Sequence, residues 1–338
     1  MANVPPGQYD VMFDTTGLCQ GGTSLNYLVQ WFDGQAGEET ANPVEVFSGV
    51  PTVGVNASLQ PGGIISGTVT GTGGTPVAGV CVYASLLQDG SRYTMSSSPT
   101  AADGTYRDIR LPAGDYLVQF DPTGCASAAE TDYLTQWYDG QSSALTADTV
   151  PVAAGETVGS IDATLVPGGT IAGVVTDAGA APVSQLCVEI LDSSYSWITD
   201  TTTAADGSYS VPRLEPGDYY VRFDPTNMCW NGSTSAYAME WWNGKWTEAG
   251  ADPVSVTSGV TADSIDAVML VSGSISGTVT DTQASPLAGI CVNAYTTGES
   301  WVEHTTTAEN GSYTLGNLAP IDYLVQFDAS AACTGGTD

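Results

Sequence analysis

Short runs of alternating apolar and polar residues follow one another along the whole chain. Residues 80–84 (Val-Cys-Val-Tyr-Ala) and 115–120 (Asp-Tyr-Leu-Val-Gln-Phe) are examples, and glycine, proline or aspartate bounds such runs. A period of two is typical of β-strands with one face in a core. Asp103-Gly104, Asp206-Gly207 and Asn310-Gly311 lie between two runs and supply the positive φ that a tight turn needs. The chain is therefore predicted to be all-β. Within the ambiguous residues 126–143, the segment 131–134 also fits a helical turn.

The predicted strands belong to a repeated unit. Four cysteines that each follow a Phe-Asp pair are spaced by 106, 104 and 104 residues, and a second series of three is spaced by 106 and 104 residues. The first series is Cys19, Cys125, Cys229 and Cys333, and the second is Cys81, Cys187 and Cys291. With seven or eight short strands per unit of about 105 residues, this periodicity predicts a tandem array of β-sandwich domains.

The phase of the repeat divides the chain into four parts. Residues 61–166 and 167–271 are predicted to be complete repeats, whereas residues 1–60 are the back part of a repeat and residues 272–338 a front part. Two interpretations stay open. The chain is an excerpt from a longer array, or its front part is completed by residues 26–60 of another chain, which would make a head-to-tail polymer by strand complementation.

The charge of the chain restricts its partners. The 338 residues include 37 acidic and 6 basic side chains, which gives a net charge of −31, yet 42% of the residues are hydrophobic. This apolar fraction predicts a folded chain, and the charge argues against binding to nucleic acids or to anionic membrane surfaces. No run of 18 apolar residues occurs, so no membrane insertion is expected. Residues 1–6 have neither a basic nor an apolar region, so no signal peptide is predicted in this chain.

Four motifs of the first complete repeat resemble the carboxypeptidase regulatory-like domain. They are Gly63-Ile64-Ile65-Ser66-Gly67-Thr68-Val69-Thr70, Pro76-Val77-Ala78-Gly79-Val80-Cys81-Val82, Ala102-Asp103-Gly104-Thr105-Tyr106 and Leu111-Pro112-Ala113-Gly114-Asp115-Tyr116-Leu117-Val118. The resemblance extends to every repeat. It implies seven-stranded Greek-key sandwiches of the prealbumin-like (transthyretin-like) fold, related to collagen-adhesin B-type modules and usual in secreted or surface-attached bacterial proteins. It implies no catalysis, since the zinc ligands of such carboxypeptidases belong to a separate domain.

The cysteines are expected to form one disulfide in each repeat. Each unit has one cysteine in an early strand and one after the Phe-Asp pair, which gives the pairs Cys81–Cys125, Cys187–Cys229 and Cys291–Cys333 and leaves Cys19 unpaired in this chain. Regular pairing of this kind indicates an oxidising compartment, although buried free thiols remain an alternative. A metal site is not expected, because the cysteines have no C-x-x-C spacing and no histidine partner.

The sequence offers little for catalysis. His304 is the only histidine, so histidine-based triads and H-E-x-x-H zinc sites repeated along the chain are excluded. Lys245 is the only lysine, and Gln35 and Gln141 occupy the equivalent positions, which excludes a repeated lysine–asparagine isopeptide of the kind found in some B-type adhesin modules. The chain is expected not to be an enzyme.

Aspartates that recur in each repeat are candidate calcium ligands. Asp121, Asp139 and Asp162 carry the hard oxygen atoms that calcium prefers, although no D-x-D-x-D-G loop is present. The alternative is that these side chains cap turns and keep the chain in solution.

Recurring tryptophans are candidate ligand contacts. Trp31, Trp137, Trp241 and Trp242 belong to an aromatic segment that returns in each repeat, and Trp197 and Trp301 share a strand position. Exposed aromatic rings could stack on sugars, whereas buried ones would close one end of a sandwich or a joint between repeats. Trp197 and Trp301 are the better candidates for exposed contacts.

Two functions are consistent with these patterns. The first is an extracellular or cell-surface structural repeat protein, a disulfide-stapled stalk or filament component for adhesion or surface display whose partners are neighbouring repeats or copies of itself. The alternative is a carbohydrate-binding array that uses the repeated aromatic residues to bind polysaccharide. No cofactor is required by either function, with calcium as the one ion to consider.

Overall fold

A computed structural model describes residues 4–17, 24–125, 132–225, 229, 236–329 and 333. The chain forms two compact units, residues 1–167 and 168–338. Among the described residues, no helix is both long enough and apolar enough to cross a membrane.

The first unit consists of short strands and three single-turn 3-10 helices. The strands are β1 (Gly7–Tyr9), β2 (Met12–Phe13), β3 (Gln30–Trp31), β4 (Val44–Val46), β5 (Gly63–Gly71), β6 (Cys81–Gln88), β7 (Ser91–Pro99), β8 (Thr105–Leu111), β9 (Gly114–Asp121), β10 (Gln136–Trp137), β11 (Val150–Val152), β12 (Thr157–Val158) and β13 (Ala163–Leu165). The 3-10 helices are Phe32–Gly34, Glu38–Thr40 and Tyr138–Gly140.

The second unit is built in the same way. Its strands are β14 (Gly169–Asp177), β15 (Cys187–Leu191), β16 (Trp197–Thr202), β17 (Ser208–Leu214), β18 (Gly217–Asp224), β19 (Glu240–Trp241), β20 (Val254–Val256), β21 (Thr261–Ala262), β22 (Ala267–Met269), β23 (Gly273–Thr278), β24 (Cys291–Thr296), β25 (Trp301–Thr306), β26 (Ser312–Leu318) and β27 (Tyr323–Asp328). One 3-10 helix spans Glu248–Gly250.

Residues 63–165 form a two-sheet sandwich. In one sheet, β5 pairs with β8 on one side and, in parallel, with β12 and β13 on the other. The other sheet has the order β7-β6-β9, and β10 and β11 both pair with β9. When β10 with β11 and β12 with β13 are each counted as one interrupted strand, the sandwich has seven strands. Strands β14–β22 repeat this arrangement, so the predicted all-β tandem sandwich architecture is confirmed.

The alternating pattern fills the space between the sheets. In β9, Tyr116, Val118 and Phe120 point into the core and are fully buried, while Asp115 is exposed and Gln119 is partly exposed. Burial of each such side chain stabilises the fold by about 1.5–3 kcal/mol. The turns before β8, β17 and β26 place glycines at φ values of 77°, 79° and 76° (Gly104, Gly207 and Gly311). These are the turns that the Asp-Gly and Asn-Gly pairs predicted.

The first and last parts of the chain contain portions of the same sandwich. At the beginning, β1 pairs with β4 and β2 pairs with β3. At the end, β23 pairs with β26, and β24 lies between β25 and β27. The part boundaries 60/61, 166/167 and 271/272 stay predictions from the sequence. Of the segment 131–134, residue 131 lies outside the described residues and Tyr133 forms a β-bridge with Pro167, so residues 132–134 form no helical turn. Elsewhere in the ambiguous residues 126–143, Tyr138–Gly140 forms a single 3-10 turn.

Candidate functional sites: disulfides, repeat joints and aromatic side chains

The structure places a disulfide at the same point of three repeats. Cys81 is the first residue of β6 and lies opposite Asp121 at the end of β9, so the chain brings Cys125 back beside it. The three bonds are Cys81–Cys125, Cys187–Cys229 and Cys291–Cys333, with Cα–Cα distances of 5.2, 5.4 and 5.3 Å. They close segments with separations of 44, 42 and 42 residues. On the chain-entropy model each stabilises its repeat by about 4 kcal/mol. Cys19 lies outside the described residues.

The polypeptide that leaves a sandwich is hydrogen-bonded back to the segment before its tryptophan strand. The amides of Leu28, Leu134 and Ala238 donate to the carbonyls of Gln60, Val166 and Leu270 at 2.8, 2.9 and 2.8 Å. A β-bridge lies beside each of these bonds, at Tyr27–Pro61, Tyr133–Pro167 and Tyr237–Val271. Each linker is therefore hydrogen-bonded, at its start, to the repeat that it leaves.

A side chain completes the joint inside the first unit. Asn26 donates from Nδ2 to the carbonyl of Gly62 at 2.6 Å and accepts from the amide of Arg110 at 2.8 Å through Oδ1. The amide of Gly62 donates back to the carbonyl of Asn26 at 3.0 Å. Arg110 has a φ of 62° and its guanidinium donates to Ser24 Oγ at 2.9 Å. The first repeat part is thus bonded to the sandwich that follows it.

The joint inside the second unit uses different side chains. Ala236 occupies the position of Asn26 and has no hydrogen-bonding side chain, but its carbonyl accepts from the amide of Ser272 at 2.9 Å. Ser272 Oγ also donates to this carbonyl, at 3.5 Å. The backbone geometry of the joint is therefore retained without the asparagine.

The tryptophans of the recurring aromatic segment are mostly packed. Trp137 and Trp241 are buried, and each ring lies under a guanidinium, Arg92 at 4.9 Å and Arg222 at 5.5 Å. Trp31 and Trp242 are half-buried, and Trp242 packs against the core of the second complete sandwich. These positions favour the packing alternative that the sequence left open.

Trp197 and Trp301 differ from the other candidates because both are exposed. They are 60% and 40% exposed, and they lie opposite Leu191 and Tyr295 at the same register position of equivalent strands. A register shift interrupts the ladder at this position in both repeats.

The three candidate calcium ligands have separate roles. Asp121 accepts from the amide and hydroxyl of Thr123, both at 2.8 Å, and Asp162 accepts from the amide of Thr68 at 2.7 Å. Asp139 has a φ of 59° within a 3-10 turn. Turn capping therefore accounts for Asp121, and strand bridging accounts for Asp162.

One cluster of metal-capable side chains occurs among the described residues, and its sulfurs are already bonded. Cys187, Asp200 and Cys229 lie within 4.8 Å of one another, but both cysteines belong to the disulfide. Calcium binding by Asp121, Asp139 and Asp162 stays a prediction without a cluster to support it.

Two carboxyl groups are buried that were not predicted from the sequence. Asp108 is fully buried, accepts from Ser96 Oγ at 3.0 Å, and occupies the position of Val211 and Leu315 in the other repeats. Glu240 is 2% exposed and occupies the position of Gln30 and Gln136. Burial raises the pKa of Asp108 to about 6 and that of Glu240 to about 7. The apolar residues at the position of Asp108 in the other repeats are the signal that identifies this group, whereas the glutamines at the position of Glu240 give no such signal.

The single histidine takes part in packing. His304 lies on β25 opposite Asn293, its ring centroid is 5.7 Å from that of Trp301, and Nδ1 is buried without a hydrogen-bond partner in the part of the chain that the structure describes. Lys245 pairs with Asp252 at 3.6 Å on the surface.

A family model and solved structures provide the comparisons. The model of the "Carboxypeptidase regulatory-like domain" matches residues 64–166, 170–228 and 274–334. No curated protein matches the chain. The Bacillus anthracis TIE protein is 14% identical with a TM-score of 0.24, and the match covers 80% of this chain and 45% of that one. The chain therefore spans less than half of that protein's length.

Two pilins are also similar. The streptococcal ancillary pilin is 12% identical with a TM-score of 0.32, over 77% of this chain and 75% of the pilin. The shaft pilin SpaA from Lactobacillus rhamnosus GG is 11% identical with a TM-score of 0.31, over 63% of this chain and 98% of the pilin. At these identities and TM-scores the likenesses carry no argument about this chain. The family model, in contrast, matches most of the chain in three consecutive segments that each contain repeated strands, and the chain belongs to the carboxypeptidase regulatory-like domain family.

Proposed function

We propose that the chain is an extracellular structural repeat protein, a disulfide-stapled stalk or filament component that supports adhesion or surface display. The observation that carries this proposal is the repeated fixation of the linkers, in which Leu28, Leu134 and Ala238 each bond the chain back at 2.8–2.9 Å. Tethered linkers reduce the motion between consecutive domains, which is what a stalk requires. The disulfides support an oxidising compartment and therefore the cell exterior.

Electron microscopy of single purified chains tests this function. A stalk predicts particles with a narrow distribution of angles between consecutive repeats. A broad distribution, as expected for domains on free linkers, would count against the structural role. Reduction with dithiothreitol provides a control, because it removes the disulfides but leaves the linker hydrogen bonds in place.

We further propose that the partners of the chain are neighbouring repeats or copies of itself joined head to tail by strand complementation. The support is that the described residues of the front part, 272–329, show β27 with β24 as its neighbour, whereas the equivalent β9 and β18 each have further strands on the other side. Phe327 is accordingly 51% exposed, while Phe120 and Phe223 are fully buried. Filaments seen by electron microscopy would support this assembly, and isolated particles at high concentration would oppose it.

The exposed tryptophans favour a second function, the binding of polysaccharide. Trp197 and Trp301 present rings at the same register position of two repeats, and aromatic rings of this kind stack on sugars. Glycan titrations followed by tryptophan fluorescence test this function, with Trp197→Ala and Trp301→Ala as variants. The absence of quenching by any glycan would remove the second candidate and leave the structural role unaffected.

We also propose that the chain has no catalytic activity. His304 supports this because its ring packs beside Trp301 and its Nδ1 is buried. Hydrolysis of peptide or ester substrates by the purified chain, lost on substitution of His304 by Gln, would contradict the proposal.

A further inference from the structure

The first strand of a complete sandwich is covered on both edges. β5 pairs with β8 on one side and with β12 and β13 in parallel on the other, and β14 likewise has β17 and then β21 and β22. The equivalent strand of the front part is β23. Within the described residues, β23 has β26 as its one strand neighbour.

The uncovered edge leaves apolar side chains of the front part accessible. Ile65 and Ile171 are fully buried in the complete sandwiches, whereas Ile275 at the same position is half-buried. Four hydrophobic residues form the buried cluster of the front part, compared with 16 and 17 in the complete sandwiches, counted over the described residues. An additional strand beside β23 would bury this surface.

Two side-chain bonds hold the last strand against the first in both complete sandwiches. Tyr106 donates to the carbonyl of Ile161 at 2.7 Å, and Tyr209 donates to that of Ile265 at 2.6 Å. Asp162 accepts from the amide of Thr68 at 2.7 Å, and Asp266 accepts from that of Val174 at 2.8 Å. These bonds require a tyrosine and a free amide on the accepting side, and a carbonyl and an Asx side chain on the added strand.

The front part retains the accepting half of this arrangement. Tyr313 stands at the tyrosine position and Thr278 at the position of the amide donor. A Cβ added to Gly277 would meet the Tyr313 hydroxyl, whereas at Gly67 and Gly173 it would meet the carbonyls of Ile161 and Ile265. The tyrosine hydroxyl therefore lies where the backbone of an added strand would pass.

The donating half is present in residues 51–59, which we name the donor segment. The last five residues of the donor segment, Val55-Asn56-Ala57-Ser58-Leu59, match Ile161-Asp162-Ala163-Thr164-Leu165 and Ile265-Asp266-Ala267-Val268-Met269 position by position. The donor segment forms no strand, and Val53 within it is 84% exposed. Asn56 can accept a hydrogen bond through its side-chain oxygen as Asp162 does.

We propose that β23 and the residues that follow it, 279–281, accept the donor segment of a second copy of this chain as a parallel strand. The register of the complete sandwiches places Ala57 opposite Val279 and Leu59 opposite Asp281, as Ala163 lies opposite Val69 and Leu165 opposite Gly71. The donor segment belongs to the unit 1–167 and β23 to the unit 168–338, so each copy donates at one unit and accepts at the other. This inference rests on the proposed structural function and names the residues that extend it from one chain to the next.

Disulfide trapping between two separately purified variants tests the pairing. Thr164 and Thr70 are register partners whose hydroxyl oxygens lie 3.3 Å apart, so Ser58→Cys and Thr280→Cys should come within bonding distance when the strands pair. Both variants carry Cys19→Ser to remove the cysteine that the sequence predicts to be unpaired in this chain. Mild oxidation of the mixture should give a heterodimer on a non-reducing gel, and mass mapping should find a disulfide between positions 58 and 280.

A matched pair of substitutions in the Ser58→Cys chain tests whether the cross-link depends on the proposed strand register or on random collision of the two chains. Leu59→Asp places a carboxylate at a position that is buried in both complete sandwiches, and its heterodimer yield should fall by about tenfold or more. Val53→Asp changes an exposed residue that has no partner in the proposed register, and it should leave the heterodimer yield unchanged. Equal losses for both variants would overturn the register.

Binding of a synthetic peptide keeps the test independent of variant folding. A labelled peptide of residues 47–60 should bind the wild-type chain in fluorescence anisotropy, and the same peptide with Leu59→Asp should bind about tenfold more weakly or not at all. Equal binding of the two peptides, or no heterodimer from folded variants, would overturn the proposal. A bond formed within one double-variant chain, without heterodimer from the mixture, would overturn the role of a second copy. In either case rod-like particles with narrow angles would still support the structural function.

Discussion

Replacement of Glu240 by glutamine should stabilise the second complete repeat in a pH-dependent manner. Glu240 lies on β19 opposite Phe223, which is fully buried in the core, and two other repeats have glutamine at this position. Burial is the cause that raises the pKa of Glu240 from 4.5 to about 7. Glutamine has the same shape and no charge, so Glu240→Gln removes the desolvation cost alone.

The pKa shift sets the direction and the size of the effect. Because the folded state holds the proton more tightly, stability falls as the pH rises from about 4.5 to about 7, and the full cost is present above pH 7. Each pKa unit corresponds to about 1.4 kcal/mol, and partial hydration of the carboxyl reduces the sum to about 1–3 kcal/mol. Glu240→Gln should therefore gain about 1–3 kcal/mol at pH 8 and nothing at pH 4.

Hydrogen exchange of the β15 and β18 amides, followed by mass spectrometry at pH 4, 6 and 8, measures this gain in the repeat concerned. Glu215→Gln, at an exposed position of the same repeat, is the matched control and should change nothing. The reciprocal variant Gln136→Glu should create a smaller penalty of the same sign in the first complete repeat, because Gln136 is only partly buried. Equal gains for Glu240→Gln at pH 4 and pH 8 would refute the reasoning, since the effect would then not depend on the charge.

Three further predictions concern single positions. Asp108→Val, which introduces the residue found at Val211, should raise the unfolding temperature of the first complete repeat more at pH 8 than at pH 4. The reason is that burial raises the pKa of Asp108 to about 6, so ionisation costs stability above that pH. Calorimetry at the two pH values measures the rise, and an equal rise at both would contradict the prediction. Asn26→Ala should weaken the joint of the first unit by about 1–2 kcal/mol through the loss of two hydrogen bonds, seen as faster exchange of the amide of residue 62 with β9 unchanged. Asp148→Asn should increase the free energy of unfolding by about 0.5–1 kcal/mol in calcium-free buffer, because two other repeats have a hydrogen-bonded carboxyl–amide pair where this repeat has Asp139 and Asp148. If millimolar calcium stabilises the parent chain but not this variant, an ion lies at the pair instead.

The positions of the main strands and the cysteine pairs follow from local patterns and fixed spacings, which is why the sequence predicts them well. Alternation marks β6 and β9, and the fixed spacing of Cys81 and Cys125 brings both to the end where these strands meet. The turn at Gly104 follows from the one residue type that adopts its φ without strain.

Burial of particular side chains could not be predicted in the same way. The sequence favours exposure of Trp197, which is 60% exposed, but it does not reveal that the ring of Trp137 lies under Arg92. This contact depends on which strand lies across the sheet, and that is a property of tertiary structure. Asp108 looks like a surface aspartate within its own repeat, and the apolar residues at its position in the other repeats are the signal in the sequence that it is buried.

The parallel pairing of the first and last strands has a mechanical consequence. In a complete repeat the chain enters at the beginning of β5 and leaves at the end of β13, and these two strands are parallel neighbours. A pull along an array would draw them in opposite directions along their common axis. The force would then act in shear on the backbone hydrogen bonds between the two strands and on the bonds made by Tyr106 and Asp162. All of these bonds would bear the force together, so they would not break one after another.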